Sequence, residues 1–291
     1  MSESIIADFV GSFNTEKSAS GEPTKGRVLL SKKRLVLATD QGKQQIPLSS
    51  IFDIAVGQVP DDLGDFFSAT VTIAFENGDH QSVAAVEAED DTIEKFTTVL
   101  FKALLNGTDT TVKHPARVGG RVTGEEFEPA KLFVEDGTVE FKRQDDSFTI
   151  RLETVTGFER LEREIAGSNR PVLAVKHRAG NRAILSLAAL PSSQKMNIFG
   201  RYLRLEYSDV MAELKDMELG DGETEILVAL YSTGDLEGMP LANIVDREAS
   251  EVTMLLNQLR KKDLIVDTDE GTKLTPMGRI VVNNHLEDIN E

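Results

Sequence analysis

The residues best equipped for proton transfer or metal ligation in this chain are four histidines, His80, His114, His177 and His285. They are scattered, and none has the short spacing by which a helix or hairpin presents two imidazoles to one metal ion. The chain has no cysteine, which removes disulfides, thiolate nucleophiles and cysteine zinc sites. No Gly-x-Ser-x-Gly elbow offers a serine nucleophile. Gly119, Gly120 and Gly124 form a glycine-rich stretch, but no Gly-Lys-Ser/Thr follows, so a phosphate loop is not supported. Carboxylates number 49, so choosing two of them as an acid–base pair would be arbitrary. The expectation is a protein with no catalytic residues, no metal site and no cofactor.

Two stretches have the chemistry of binding instead. Ser31-Lys32-Lys33-Arg34 is the densest run of positive charge, with Lys25 and Arg27 nearby. Lys32, Lys33 and Arg34 could form charge-assisted hydrogen bonds to an acidic or phosphorylated partner. Their alternative is a solvated hairpin turn. The second stretch is an acidic loop, residues 59–67, carrying Leu63, Phe66 and Phe67. These either pack into a core or stand out as aromatic anchors for a partner, because interface centres favour such side chains.

The elements that must position these stretches follow from an internal repeat. Residues 26–55, GRVLLSKKRLVLATDQGKQQIPLSSIFDIA, match residues 130–159 at a shift of 104 without a gap. Val28, Leu30, Leu35 and Leu37 fall on Leu132, Val134, Val139 and Phe141. Ile46, Leu48, Ile51 and Ile54 fall on Ile150, Leu152, Val155 and Phe158. The conserved spacing is the alternation of half-buried strands. In each unit the strands are followed by a helical stripe, Ile93, Phe96, Val99, Leu100 and Ala103 in the first, Met196, Ile198, Phe199, Tyr202 and Leu203 in the second. The second unit is expected to open with a strand at 117–122 and to end with a separate connecting helix over 209–217. Each unit reads as a small antiparallel barrel closed by a C-terminal helix, because a small curled sheet leaves one end of its core open to water.

Beyond Leu219-Gly220-Asp221-Gly222, short apolar clusters at Ile226–Leu230, Leu241–Val245 and Val252–Leu259 predict three helices. A hairpin over 264–274 and a last helix opened by Pro276 follow. This order is that of a winged helix-turn-helix. The fold class is therefore α+β, with domains at 1–110, 111–218 and 219–291.

Charge limits the partners. The formal net charge is −17 and the pI is about 4.7, which repels nucleic acid and anionic membranes and suits a salt-rich cytosol. Residues 220–291 hold six Lys or Arg against fifteen Asp or Glu. The outward side of the would-be recognition helix carries Glu251, Thr253, Met254, Asn257 and Gln258, and the wing carries Asp267, Asp269 and Glu270. A groove reader needs Arg or Lys there. The preferred reading is a protein-binding or dimerising module, which allows a homodimer. The alternative is a transcription regulator whose barrels sense a ligand or oligomerise. The start MSESIIADF lacks the features of a signal peptide, and no apolar run approaches a membrane span, so a soluble cytoplasmic protein with no membrane insertion is expected.

The stretches KGRVLLSKKRLVL, IPLSSIFDIAVG, PLANIVDREASEVTMLLNQLRKKDLI and LTPMGRIVVN, set in this order of parts, resemble the archaeal taxis protein family CheF. The resemblance covers nearly the whole chain and rests on overall pattern rather than a catalytic motif. It implies two pleckstrin-homology-like units and a winged helix. It also implies a non-enzymatic adaptor between the chemotaxis relay and the archaellum, the archaeal flagellum. The implied partners are the response regulator CheY, bound preferentially when phosphorylated, the CheC and CheD proteins, and archaellum accessory or motor proteins, at the motor base. No binding residue is carried over from the family.

Overall fold

The alternating stretches fold as strands. A computed structural model describes residues 3–15, 23–57, 69–135, 137–179, 182–215, 217–233, 245, 247–268, 271–275 and 277–282. The first sheet holds β1 (Ile5–Thr15), β2 (Thr24–Ser31), β3 (Arg34–Thr39), β4 (Gly42–Pro47), β5 (Ile51–Val56), β6 (Ala69–Asn77) and β7 (His80–Ala88), and helix α1 (Asp90–Leu105) follows. The second sheet holds β8 (Thr108–Val118), β9 (Arg121–Val122), β10 (Glu128–Glu135), β11 (Thr138–Lys142), β12 (Ser147–Arg151), β13 (Val155–Ile165), β14 (Ser168–Ala179) and β15 (Arg182–Ala189), followed by α2 (Ser193–Lys215).

Both sheets are antiparallel and have the same order. The first runs β4-β3-β2-β1-β7-β6-β5 and the second β12-β11-β10-β8-β15-β14-β13, with β9 added beside β8. The repeat extends to individual pairs. Val28 faces Leu37 and Leu35 faces Ile46, while Leu132 faces Phe141 and Val139 faces Ile150. A 3-10 turn follows in each, Leu48–Ser50 and Leu152–Thr154. Its first amide donates back across the sheet, Leu48 to the Lys33 carbonyl at 2.9 Å and Leu152 to the Gly137 carbonyl at 2.8 Å. Even the irregularity after the turn recurs, between Ile51 and Asp53 and between Val155 and Gly157.

Among the described residues each pairing path is open, ending on β4 and β5 or on β12 and β13, so closed barrels are not what the hydrogen bonds form. The second sheet is nevertheless rolled. Two strands lie between β12 and β8, which in a flat sheet would set them about 14 Å apart. Yet the rings of Phe148 on β12 and His114 on β8 stack at 3.8 Å.

Two boundaries differ from expectation. The second sheet opens at Thr108, not at residue 117. Pro115 reads as a strand breaker, but it falls where the pairing of β8 with β15 shifts register, and such a bulge tolerates proline. The separate connecting helix is instead the continuation of α2, which runs unbroken to Lys215.

Helix α1 starts with Asp90 and Asp91 and carries Lys102 in its last turn, in agreement with its macrodipole. Its buried set is wider than one stripe: Ile93, Phe96, Leu100, but also Phe101, Leu104 and Leu105. The reason is that α1 touches both sheets, β1, β6 and β7 of the first and β10 of the second. Phe96 meets Phe9 edge-on at 5.2 Å, and Phe101 meets Tyr202 of α2 at 5.6 Å. Helix α2 likewise lies on its own sheet, with Phe199 edge-on to Phe141, and along β5 of the first. One apolar cluster consequently runs from Phe13 through both sheets and both helices to Leu203.

The C-terminal unit has its own cluster around Ile226, Leu227, Leu255 and Leu259. It contains α3 (Asp221–Thr233), α4 (Ala249–Lys261), the hairpin β16 (Ile265–Thr268) with β17 (Gly271–Leu274), and a helical turn over 277–282. The helix expected at Leu241–Val245 lies almost wholly outside the described residues. No helix among the described residues is long and apolar enough to cross a membrane.

Leu48 and Leu152 occupy equivalent buried positions. Leu48→Ala and Leu152→Ala should each destabilise by about 2–5 kcal/mol. Because both side chains belong to one cluster, each change should move a single transition in denaturant unfolding followed by circular dichroism. Two transitions, with one unmoved, would contradict the shared core.

Candidate functional site

The basic hairpin joins β2 to β3. Ser31 ends β2 with its hydroxyl folded back, accepting the Lys33 and Arg34 amides at 3.2 and 3.1 Å, a serine-anchored turn. The same hydroxyl lies 2.7 Å from the Glu3 carboxylate. Arg34 is engaged locally: its guanidinium binds Glu3 at 2.6–2.8 Å and the Gln45 side chain at 2.7 Å. The hydrogen bond from Arg34, reinforced by Ser31, holds the Glu3 carboxyl below its ordinary pKa. Arg27 is bound in the same way to Asp8, at 2.6 and 2.7 Å. The arginines thus tie the start of β1 to β2 and β3, and Lys32 and Lys33 are left as exposed cations at the tip. Leu63, Phe66 and Phe67 lie outside the described residues.

The equivalent hairpin of the second sheet is tied to both helices. Asn106, just past α1, exchanges two hydrogen bonds with Val134, at 2.7 and 3.3 Å. Lys102 pairs with Glu135 at 3.0 Å, Tyr202 donates to the Glu135 carbonyl at 2.9 Å, and the Gly137 amide donates to Glu206 at 3.3 Å. One hairpin of the repeat is therefore bonded to α1 and α2, and its basic counterpart is bonded to Glu3 and exposes Lys32 and Lys33.

A second cluster joins residues that sequence spacing kept apart. His114 Nδ1 and His177 Nε2 approach the Ser186 hydroxyl at 2.7 and 2.9 Å. The hydroxyl has one proton, so it donates to one ring and accepts from the other. His114 stacks on Phe148, whose ring also lies 5.5 Å from the Arg143 guanidinium, itself held by Asp146 and Glu128. His177 is 5% exposed and Ser186 3%, so no substrate carbonyl can reach this hydroxyl. Among the described residues no three His, Asp or Glu side chains converge as a metal site. Sequence spacing missed this cluster because His114 and Ser186 are 72 positions apart. The available signal was a polar residue at an inward strand position, where His177 shares a face with Val175.

In the C-terminal unit the cations are mostly engaged by carboxylates. Arg247 binds Glu225 at 2.8 Å and Glu251, Arg260 binds Asp267 at 2.8 and 3.0 Å, and Lys262 binds the buried Glu223 at 2.7 and 2.8 Å. Met254 on α4 and Val266 on β16 are exposed, at 53% and 47%. Arg178 of β14 donates to the Tyr231 hydroxyl at 2.7 Å, linking this unit to the second sheet.

Burial pushes His114 down to about 4, with the neighbouring His177 and Arg143 adding to the shift and Asp146 opposing it. Burial likewise pushes His177 down to about 4. Both rings therefore stay neutral in the folded chain down to about pH 4, while the unfolded chain takes up protons at the ordinary histidine pKa near 6.5. Stability should be full above pH 6.5 and fall as the pH drops toward 4, by on the order of 3 kcal/mol per histidine. Denaturant midpoints between pH 7 and 4.5 measure this. His114→Asn and His177→Gln, which keep a hydrogen-bonding atom near Ser186, should flatten the dependence, and an unchanged slope would contradict it.

Against this geometry stand the similarities to known proteins. The family model described as Archaeal Chemotaxis signal transduction system protein F matches residues 5–209, which spans both sheets and most of α2. Taxis protein CheF2 of Halobacterium salinarum is 46% identical over 290 residues, covering all of both chains. Taxis protein CheF1 of the same organism is 30% identical over 284 residues, 94% of this chain and 93% of its own.

Proposed function

The chain belongs to the archaeal CheF family of taxis proteins, and on that premise we propose that it is a non-enzymatic cytoplasmic adaptor coupling phosphorylated CheY to the archaellum motor. CheC and CheD proteins and accessory proteins at the motor base are its further partners in this reading. The observation that carries it is the end-to-end match to a taxis protein, which includes the C-terminal unit beyond the family model. We read the two rolled sheets with their helices as pleckstrin-homology-like domains and the C-terminal unit as a winged helix. The domains are taken to be 1–110, 111–218 and 219–291.

The asymmetry of the two hairpins supports a docking role for the first. In the second sheet this hairpin packs against helices within the chain. In the first sheet it offers Lys32 and Lys33 to solvent on a turn stiffened by Ser31 and Arg34. A receiver's activation changes a small surface around its phosphoaspartate, and a partner that fits only that surface shifts the population toward it. Lys32→Glu with Lys33→Glu should weaken one partner by about tenfold or more and leave the fold intact, since a well-seated charge pair is worth about 1.5 kcal/mol or more. Calorimetry against the receiver, with and without a phosphoryl mimic, and against motor-side proteins tests this. Equal affinity for both receiver states would remove the switch. Unchanged affinity of the variant for every partner would leave the hairpin a solvated turn.

The same reading expects no sequence-specific DNA binding, because Arg247, Arg260 and Lys262 are held by carboxylates and the exposed residues of α4 include Thr253, Met254, Asn257 and Gln258. A gel shift in salt near that of a halophile's cytosol should show no specific band. A defined footprint would instead favour a transcription regulator.

A further inference from the structure

β5 ends the first sheet, pairing with β6 on one side only, and α2 lies along its other side. The helix secures the first half of this edge. Gln194 donates to the carbonyls of Ser49, at 3.2 Å, and Ile51, and Arg201 clamps Asp53 with two bonds of 2.9 and 3.0 Å. Past Asp53 the strand and helix leave an open groove of about 270 Å³. Ile54, Val56, Phe101 and Leu205 form its apolar lining, with Arg201 and Arg204 beside them. Val56, at the lip, is 36% exposed. Arg204 is exposed and has no ion-pair or hydrogen-bond partner among the described residues.

In a chain of net charge −17, two guanidiniums meeting one carboxylate reverse the local sign. We propose that this groove docks an extended acidic segment of a protein partner, with one bulky apolar side chain seated between Val56 and Leu205 and a carboxylate on Arg204. Each part of the segment has a counterpart. Beyond the Ile54 amide, which Asp53 Oδ1 accepts at 3.0 Å, β5 runs on to Val56 as the terminal strand of its sheet, the position at which an extended segment adds. Arg204 presents the planar fork that binds carboxylates bidentately. The apolar lining provides an anchor site of the kind that dominates interface energy. A polyanion such as nucleic acid would meet the repulsion of the whole acidic surface, whereas a short segment meets only the groove. That the occupant is a protein rests on the adaptor reading; the groove itself does not.

The test uses fluorescence anisotropy with the full chain and a fluorescein-labelled peptide of Glu and Asp flanking one central Phe. Comparison peptides replace that Phe by Ala or every acid by Lys. The expected result is saturable binding of the acidic Phe peptide, weakened about tenfold by Arg204→Glu, with at least a comparable loss for the Ala peptide and no binding of the Lys peptide. Arg204→Gln, which keeps the side chain's bulk, should fall between wild type and Arg204→Glu. Because the chain has no cysteine, Val56→Cys supplies its sole thiol, and a bromoacetyl form of the peptide should alkylate it. Binding unaffected at Arg204, or equal for the Phe and Ala peptides, would overturn the proposal. So would full competition by inorganic phosphate, which would make it an anion site. Loss of a concentration-dependent dimer in Arg204→Glu would assign the groove to a second copy and overturn it as well. If the receiver binds and the peptide does not, the groove inference alone falls; if the peptide binds and the receiver does not, the adaptor reading falls and the groove stands.

Discussion

The structure depends on the burial of one helix pair between two sheets. A sheet with one apolar face cannot cover that face by itself. Here α1 covers the first sheet and reaches β10, and α2 covers the second and runs along β5. Phe101 and Tyr202 pack where the helices meet. Removing either helix would expose apolar surface on both sheets, at roughly 25 cal/mol for each Å². Polar contacts then fix the relative position of the parts. Arg201 on Asp53, Lys102 on Glu135 and the Lys195 ammonium on the Leu104 carbonyl each join one half of the repeat to the other.

That shared helix pair breaks the symmetry of the repeat. The halves have the same strand order, but equivalent hairpins have different partners. Glu135 and Gly137 are bonded to α1 and α2, whereas the hairpin at Ser31 to Arg34 is bonded to Glu3 and exposes Lys32 and Lys33.

Charge is organised at short range within a strongly acidic surface. Several arginines tie carboxylates, as with Arg27, Arg143, Arg201, Arg247 and Arg260. Their planar fork suits that role better than an ammonium does. Lys32, Lys33 and Arg204 are among the cations left exposed, each in a local setting of its own. Inside, the polar cluster of His114, His177 and Ser186 is satisfied by its own members, because burial favours neutral rings that can both donate and accept.

Strand alternation and its recurrence after 104 residues determined the antiparallel strands, their register and the equivalence of the two halves, because side chains on successive strand residues must point to opposite faces. The absence of cysteine and the acidic balance limited the chemistry in the same direct way. Three things were decided only by tertiary structure. One was the second buried face of α1, with Phe101, Leu104 and Leu105: a helical stripe reports that a face is covered, not how many neighbours cover it. Another was the entry of Thr108–Val118 into the sheet across Pro115, which brought His114 onto Ser186, since a bulge absorbs a proline that local propensity reads as a break. The last was which basic residues stay free. Arg34 and Lys33 are adjacent in sequence, but only the fold brings Glu3 to Arg34, because a carboxylate 31 positions away becomes a neighbour only when β1 pairs with β2.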